Sequence, residues 1–273
     1  MAFRQLRRLR IPRLTPQHRL FSDANPSSFS PPSVTLYQYA ICPFCNKVKA
    51  LLNHVGLHHE IVEVNPLTKS ELPKGDYRKV PIALVDEQAV LGSDAIISAL
   101  LEHRHVQEQL LNTRWKDADN MTLEAFQQDT KWLDFATNQL ATLMYPNICR
   151  SVSDAYRSFD YVSDVPTWSA FQKFSIRGVG SIAMYMAASR VKKKYNIEDE
   201  RKALEEALQV WYNEALNRDE KQFASGANVP NLADLTVYGT LRSVEGLEAH
   251  DTFVRNGPVS DWYQRMKEQT NNM

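Results

Sequence analysis

Two cysteines separated by a proline and a phenylalanine are the most chemically informative feature of the chain. Cys42 and Cys45 delimit the sequence Cys-Pro-Phe-Cys, and Cys149 is the third and last cysteine of the 273 residues. A thiol placed just before a helix faces unpaired N–H groups and the positive end of the helix dipole, which stabilise a thiolate. Cys42 is therefore the predicted nucleophile, and Cys45 is suited to resolving a mixed disulfide formed on Cys42.

A Cys-x-x-Cys pair could instead supply half of a structural zinc site, which needs four ligands. The chain has no second pair of this kind, and His54, His58 and His59 fall too far along the following helix and strand. We therefore expect thiol chemistry and no metal ion at Cys42. Cys149 is interpreted as a small buried hydrophobic residue without a catalytic role.

The elements around the pair are predicted from its flanking patterns. A β-rich run over residues 34–39 precedes it, and apolar residues then repeat at helical spacing from Pro43 to Gly56. Residues 59–64 have strand character, and residues 82–91 read as a hairpin. A further helix is expected from about residue 94 to residue 105, with Ser93 just before it.

The order βαβ followed by ββα is typical of a thioredoxin-like domain, and no glycine-rich phosphate loop favours a Rossmann unit instead. Beyond residue 118 the strand signal fades and long helical patterns take over. These patterns cover residues 121–145, 167–195, 198–217 and 232–246. The predicted fold is a thioredoxin-like βαβββα domain over residues 34–105, followed by a helical domain over residues 116–273.

Val80 and Pro81 open the third predicted strand and indicate a binding site. The proline removes a hydrogen-bond donor and restricts Val80, and thioredoxin-like folds place a cis-proline here, facing the cysteine pair. The backbone of Val80 is then expected to pair with an extended peptide, while Ser93 and Asp94 hold its charged end at a helix start. Glutathione has this shape. Ser93 and Asp94 are also expected to cap the helix.

Two motifs of the helical half favour structural roles. Asn231 and Asp234 have the spacing of a capping box that opens a helix. The cations of residues 190–194 are those of a solvated helix end, where positive charge suits the dipole, with a membrane-surface role as the alternative.

Several longer stretches extend the pattern beyond the cysteine pair. They comprise residues 37–39, 62–66, 77–82, 96–100, 158–161 and 231–239. Together with Cys-Pro-Phe-Cys they resemble the prostaglandin E synthase 2 family, and the resemblance covers nearly everything after residue 34. It implies a glutathione S-transferase-like helical domain and a glutathione-binding isomerase that converts prostaglandin H2 to prostaglandin E2.

The resemblance also implies roles for individual residues. Tyr39 is expected to donate a hydrogen bond to the reacting thiol or to a substrate oxygen. Phe44 joins Val80, Pro81, Ser93 and Asp94 as a glutathione-binding residue. Family members can also bind haem with the glutathione sulfur on iron, and a homodimer is expected.

Two other functions stay open on the sequence. A glutathione-dependent thiol-disulfide oxidoreductase, acting on a disulfide and not on a lipid, needs only the cysteine pair and the glutathione site. A glutathione–haem carrier would need no catalysis, although no histidine or cysteine marks an axial ligand.

Composition excludes several classes of function. Lys and Arg together number 32, as do Asp and Glu, so the chain has no overall field to hold nucleic acid. No apolar run approaches the roughly 20 residues that cross a bilayer. Three cysteines are too few for a disulfide framework, so a reducing compartment is expected.

The N-terminal residues have the composition of a targeting segment. Residues 1–22 contain six arginines and no acidic residue, and the chain around Phe21 and Ser22 resembles a mitochondrial processing site. Residues 25–33 are rich in Pro and Ser and read as a linker. We expect residues 1–33 to lie outside the fold and to direct a soluble or peripheral protein to a mitochondrion or plastid.

Overall fold

The structure is a computed structural model that describes residues 29–115, 118 and 122–271. The predicted targeting segment, residues 1–22, and the first part of the predicted linker lie outside these residues. No helix within the described residues is long and apolar enough to cross a membrane.

One four-stranded mixed sheet forms the N-terminal half. Its strands are β1 (Val34–Gln38), β2 (Glu60–Glu63), β3 (Ile82–Val85) and β4 (Gln88–Leu91). The spatial order is β2-β1-β3-β4, with β1 and β2 parallel and the other two pairs antiparallel. The parallel pair is joined through helix α1 (Pro43–Val55), because parallel strands need a crossover connection. The predicted βαβ and ββα order is confirmed.

The other regular elements of the described residues are helices. Their bounds are α2 Ser93–Glu102, α3 Arg104–Gln109, α4 Leu123–Gln127, α5 Thr130–Asp134, α6 Ala141–Ile148, α7 Val152–Ser158, α8 Ala170–Ser175, α9 Ser181–Tyr195, α10 Glu200–Val210, α11 Leu232–Arg242 and α12 Ser260–Asn271. Several helices are extended or joined by π-helical segments: Leu110–Arg114 follows α3, Phe135–Leu140 joins α5 to α6, Ile176–Gly180 joins α8 to α9, and Trp211–Ala215 follows α10.

Several predicted helix bounds are wrong for local reasons. The helix expected up to residue 105 ends at Glu102, because His103 is extended (φ −75°, ψ 126°) and starts α3 instead. The residue before α2 is Gly92, and Ser93 already belongs to the helix. The pattern over residues 167–195 starts late because Ser169 caps α8 in a capping box with Gln172.

The pattern over residues 121–145 is also interrupted. Thr122 caps α4, and a break at Asp129 separates α4 from α5. Between the sheet domain and the helical domain lie α3 and its π-helical continuation, Leu110–Arg114. The division into residues 34–105 and 116–273 therefore remains our proposal.

The core of the molecule runs through α1, which packs against α11. A Cβ atom at Gly239 would lie 2.6 Å from the Asn46 carbonyl oxygen, so only glycine allows this approach of the two helices. Fully buried Leu51 and Leu52 of α1 belong to the same core. Burial of each such side chain stabilises the fold by about 1.5–3 kcal/mol. The cysteine pair at the start of α1 thus stands on a rigid element.

Candidate functional site

Cys42 is the residue immediately before α1, as the sequence predicts. Its backbone is extended (φ −79°, ψ 122°), and Pro43 takes the first helical position. The Cys42 N–H donates to the Tyr39 carbonyl at 2.9 Å. The Asn46 side-chain amide donates to the carbonyls of Ala40 at 2.8 Å and Cys42 at 3.0 Å. These bonds fix the turn that carries the thiol.

The two thiols of the pair differ in acidity. A hydrogen bond from the Cys45 thiol, together with the N–H groups of Cys45 and Phe44, lowers the pKa of Cys42 against the opposing effect of burial. Burial raises the pKa of Cys45 well above its usual value, and the neighbouring Cys42 thiolate adds to this. Cys42 is 4% exposed and Cys45 is fully buried. The geometry therefore supports Cys42 as the thiolate and Cys45 as its donor.

Tyr39 is half-buried and lies three residues before Cys42. Burial, and then the charges of the two cysteines, raise the pKa of Tyr39 to about 12. The phenol consequently stays protonated over the physiological range and can donate a hydrogen bond.

The proposed glutathione groove brings together most of its predicted residues. The Val80–Pro81 peptide is cis, as expected from the thioredoxin-like pattern. Within the described part of the chain, the N–H and C=O groups of Val80 have no hydrogen-bond partner, so both are available to a ligand strand. Gly92 gives α2 no side-chain cap, which leaves the first amides of the helix available to a carboxylate.

Ser93 and Asp94 lie side by side at the start of α2. The buried Ser93 hydroxyl donates to the Asp94 carboxylate at 3.2 Å, and the Asp94 side chain is 72% exposed. The expected capping role of Ser93 and Asp94 is not observed, because Gly92 occupies the capping position. An exposed carboxylate here suits an ammonium group of a ligand.

Lys47 is a residue of this site that the sequence analysis missed. Its side chain is 1% exposed, and its ammonium group donates to Asp94 at 2.9 Å and to the Thr137 hydroxyl at 2.7 Å. Lys47 also lies 5.8 Å from the centre of the Phe44 ring. It thereby ties the cysteine helix, α2 and the helical domain together. The available signal was a lysine on the apolar face of α1, four residues before Leu51.

Glu63, at the end of β2, holds the turn between Tyr39 and Cys42 in place. Its carboxylate accepts hydrogen bonds from the Ala40 N–H at 2.7 Å and the Gln38 side-chain amide at 3.0 Å. Burial raises the pKa of this carboxyl, while the neighbouring Lys49 opposes the shift. The turn residue Ala40 is thus anchored to a strand of the sheet.

The helical half contributes two phenols to the same region. Burial raises the pKa of Tyr145, with the charges of Cys42 and Cys45 as further causes. Burial, and then the charge of the neighbouring Glu63 carboxylate, raise the pKa of Tyr161. The buried Tyr161 hydroxyl lies beside that carboxylate without a hydrogen bond of normal length and angle. No spacing rule in the sequence connects these tyrosines with Cys42, because they come from distant helical segments.

Metal binding and the third cysteine were the other chemical possibilities that the sequence raised. They hold no cluster of three or more His, Cys, Asp or Glu side chains that could bind a metal ion. Cys149 is 1% exposed, and burial raises its pKa to about 12. It thus lies in the structure as the small buried residue that its sequence context suggests.

The chain is similar to several known proteins. Residues 36–109 match the family described as glutathione S-transferase, N-terminal domain. Prostaglandin E synthase 2 of Mus musculus is 35% identical over 269 residues, covering 86% of this chain and 69% of the mouse protein. The protein of the same name from Danio rerio is 35% identical over 293 residues, covering 94% and 77%. Glutaredoxin 1 of Rickettsia conorii is 34% identical over 77 residues, covering 26% and 76%.

Solved structures show the same architecture. A glutathione transferase of Phanerochaete chrysosporium matches with a TM-score of 0.54 and 16% identity, covering 88% of this chain and 98% of that one. A glutathione S-transferase of Sinorhizobium meliloti matches with a TM-score of 0.54 and 14% identity, covering 86% and 88%. At these identities the likeness concerns the fold, and it confirms a thioredoxin-like domain followed by a transferase-like helical domain.

Proposed function

The chain belongs to the prostaglandin E synthase 2 family, and on this basis we propose that it isomerises prostaglandin H2 to prostaglandin E2 at Cys42. The family relationship supports an enzyme of the isomerase or oxidoreductase class. The observation that carries the proposal is the pairing of a thiol of lowered pKa, Cys42, with a protonated phenol, Tyr39, three residues before it.

The residues of the site account for an isomerisation without net redox change. The Cys42 thiolate removes the proton on C9 of the endoperoxide, and the C–H electron pair forms the C9 carbonyl. The O–O bond breaks, and its electron pair stays on the C11 oxygen. Tyr39 gives its proton to that oxygen, and the Cys42 thiol then returns a proton to Tyr39. The products are the C9 ketone and the C11 hydroxyl, and the Cys42 thiolate and the Tyr39 phenol are regenerated.

Two observations support glutathione as the ligand of the proposed site. The unpaired backbone groups of Val80 match an extended peptide, and the uncapped start of α2 matches a carboxylate. The exposed Asp94 carboxylate would hold the ligand's ammonium group, and Phe44 and Pro81 would flank its thiol. When bound, glutathione would supply a second thiol beside Cys42.

A second function is favoured by the Cys-Pro-Phe-Cys pair and by the similarity to glutaredoxin 1. In this alternative, the Cys42 thiolate attacks a substrate disulfide, the S–S bond breaks, and the released thiolate takes a proton. Cys45 then attacks the Cys42 sulfur of the mixed disulfide, which forms the Cys42–Cys45 disulfide and releases the second substrate thiol with the proton of Cys45. Two glutathione molecules supply the two electrons that restore both thiols and leave as oxidised glutathione.

Three further assignments belong to the proposal. Haem would be held through the sulfur of glutathione, as the family relationship implies. A homodimer is proposed from the family relationship. A mitochondrial or plastid location is proposed from the six arginines of residues 1–22.

One preparation tests these functions together. Purified protein with glutathione is scanned for a Soret band, then assayed with prostaglandin H2 and with a mixed disulfide of glutathione. We expect prostaglandin E2 formation to fall at least about a hundredfold in Cys42→Ser. Cys149→Ser should keep the wild-type rate. Equal rates for Cys42→Ser and wild type with prostaglandin H2 would reject the isomerase, and activity with the mixed disulfide alone would select the oxidoreductase.

Glutathione binding is tested separately by calorimetry. Asp94→Ala and Ser93→Ala should each weaken glutathione binding, because each removes a polar group at the start of α2. Glu102→Ala, at the exposed end of the same helix, serves as the control. Unchanged affinity in both Asp94→Ala and Ser93→Ala would remove the site.

A further inference from the structure

The helix formed by α8, a π-helical turn and α9 exposes a row of apolar side chains. Phe171 is 78% exposed, Phe174 76%, Val179 58%, Ile182 54% and Met186 50%. These five residues, which we call the α8–α9 apolar face, lie on one continuous helical stretch. Soluble proteins seldom leave neighbouring large apolar side chains uncovered, so the row indicates an interaction surface.

The opposite side of this stretch is already used by the core. Ile176 is fully buried against Phe159, Val162 and Trp168. Further along, Ala188 is 2% exposed and belongs to the main core. The stretch therefore does not need the α8–α9 apolar face to hold its place in the fold.

The stretch that carries the face has charges of a single sign. No acidic residue occurs in residues 165–197, whereas this segment contains six cations. Arg177 forms an ion pair with Asp160, and Lys192 with Glu200, so these two are neutralised within the fold. Arg190, Lys193 and Lys194 are exposed near the end of α9. An apolar row beside uncompensated cations has the chemistry of a surface for anionic lipid.

We propose that the α8–α9 apolar face docks on an anionic phospholipid bilayer. The two phenylalanines and the aliphatic side chains enter the boundary between headgroups and acyl chains, and the cations of α9 lie against lipid phosphates. This attachment is interfacial and needs no membrane-crossing helix. It stands independently of the reaction catalysed at Cys42.

Charge also disfavours the other occupants of this face. A second copy whose α8–α9 stretch runs parallel to this one would bring the cations of α9 near the same cations of its partner, and an antiparallel copy would leave them uncompensated, because residues 165–197 offer no acidic residue. Residues 1–22 contain six arginines and no acid, so this segment would meet the face with like charge. An anionic bilayer is the occupant that satisfies both the apolar row and the cations.

Hydrogen exchange of the full chain is resolved by segment, so it detects a lipid contact at α8 and α9 even when residues 1–22 also bind the vesicles. Exchange is measured with vesicles of phosphatidylcholine alone and of phosphatidylcholine mixed with phosphatidylglycerol. We expect protection of residues 170–195 with the anionic vesicles and little with the neutral ones. In Lys193→Glu/Lys194→Glu, the lipid concentration for half-maximal protection should rise at least about tenfold.

Matched variants separate apolar insertion from general stickiness. Phe171→Ser/Phe174→Ser should lose most of the protection, whereas Ile61→Ser, which alters a 49% exposed apolar residue of β2, should keep it. Vesicle binding without protection of residues 170–195 would overturn the proposal, as would equal protection by neutral vesicles. Protection that rises with protein concentration in the absence of lipid, with a dimer mass, would assign the face to a second copy.

Discussion

Asp234 at the start of α11 and Glu63 at the end of β2 are both carboxylates withdrawn from water. Burial raises the pKa of both, that of Asp234 to about 6. Asp234 accepts hydrogen bonds from the N–H groups of Ala224 at 2.9 Å and Asn231 at 3.0 Å, and from the Trp262 indole at 2.9 Å. The Asn231–Asp234 capping box predicted from the sequence is part of this network.

The network around Glu63 is less complete. Glu63 accepts its two hydrogen bonds from Ala40 and Gln38, while the single side-chain oxygen of Gln38 and the Tyr161 hydroxyl are buried and make no hydrogen bond of normal geometry. A fully bonded polar network stabilises a fold, whereas a buried unsatisfied polar group calls for a further role or an ordered water. We interpret the Asp234 region as structural and propose that the Glu63 region supports the chemistry at Cys42.

The largest effect is expected for Asp234→Ala. Removal of the carboxylate leaves several buried N–H donors unsatisfied, so the free energy of unfolding should fall by about 4 kcal/mol. Urea unfolding measures it, with the exposed Glu205→Ala as a control that should stay within about 0.5 kcal/mol of wild type. A loss no larger than that of the control would contradict the structural assignment.

His54 extends the comparison to pH. It is fully buried in α1, with Nδ1 3.3 Å from the Gln269 carbonyl oxygen, and burial lowers its pKa to about 4. The unfolded histidine binds a proton that the folded one refuses, so the contribution of His54 to stability is full above about pH 6.5 and falls toward pH 4, by roughly 3 kcal/mol. The raised pKa of Asp234 acts in the opposite direction over the same range, so the His54 contribution is read from the difference between variant and wild type. His54→Gln should remove this dependence, which unfolding between these pH values would measure. The exposed His58→Gln should retain the wild-type slope.

A smaller stability effect is expected for Glu63→Gln. The amide keeps one acceptor oxygen, so the free energy of unfolding should fall by only about 1 kcal/mol. Activity at Cys42 should fall more than stability suggests, because Ala40 loses part of its anchor. Glu60→Gln, an exposed change on the same strand, should alter neither. A variant that loses as much stability as Asp234→Ala, with full activity, would erase the contrast.

The smallest effect is expected for Tyr161→Phe. Its hydroxyl completes no hydrogen bond, so deletion should change the free energy of unfolding by less than about 0.5 kcal/mol. Tyr263→Phe is the matched change, because the Tyr263 hydroxyl donates to Glu245 at 2.8 Å and its loss should cost about 1 kcal/mol. Equal losses in thermal or urea unfolding would show that Tyr161 is bonded after all.

The sequence predicted the fold well wherever a pattern was local. Strand, helix and hairpin order followed from periodicity and from the Val80–Pro81 signal. Helix bounds failed where a polar residue inside an apolar pattern acts as a cap, as Ser169 does, or where a backbone turns extended, as at His103. Such breaks depend on tertiary contacts that periodicity does not carry.

The candidate site, like the fold, was predictable from the sequence only where its residues lie close together in the chain. Cys42, Cys45 and Tyr39 lie three residues apart in the chain, so their spacing alone predicts that they lie close together. Lys47 and Tyr161 join the site only through contacts between the two halves, one by its bond to Thr137 and the other by its place beside Glu63. Those contacts arise from packing of helices that the sequence alone does not position.

The acidity of Cys42 is the central claim, and alkylation resolved by peptide mass spectrometry tests it directly. Wild-type protein is treated with iodoacetamide over a range of pH, and the midpoint of the rate profile is taken for each cysteine, since midpoints do not depend on accessibility. We expect the Cys42 midpoint below the value of about 8.5 for a free thiol, and that of Cys149 well above it. A Cys42 midpoint at or above the free-thiol value would contradict the assignment of the nucleophile.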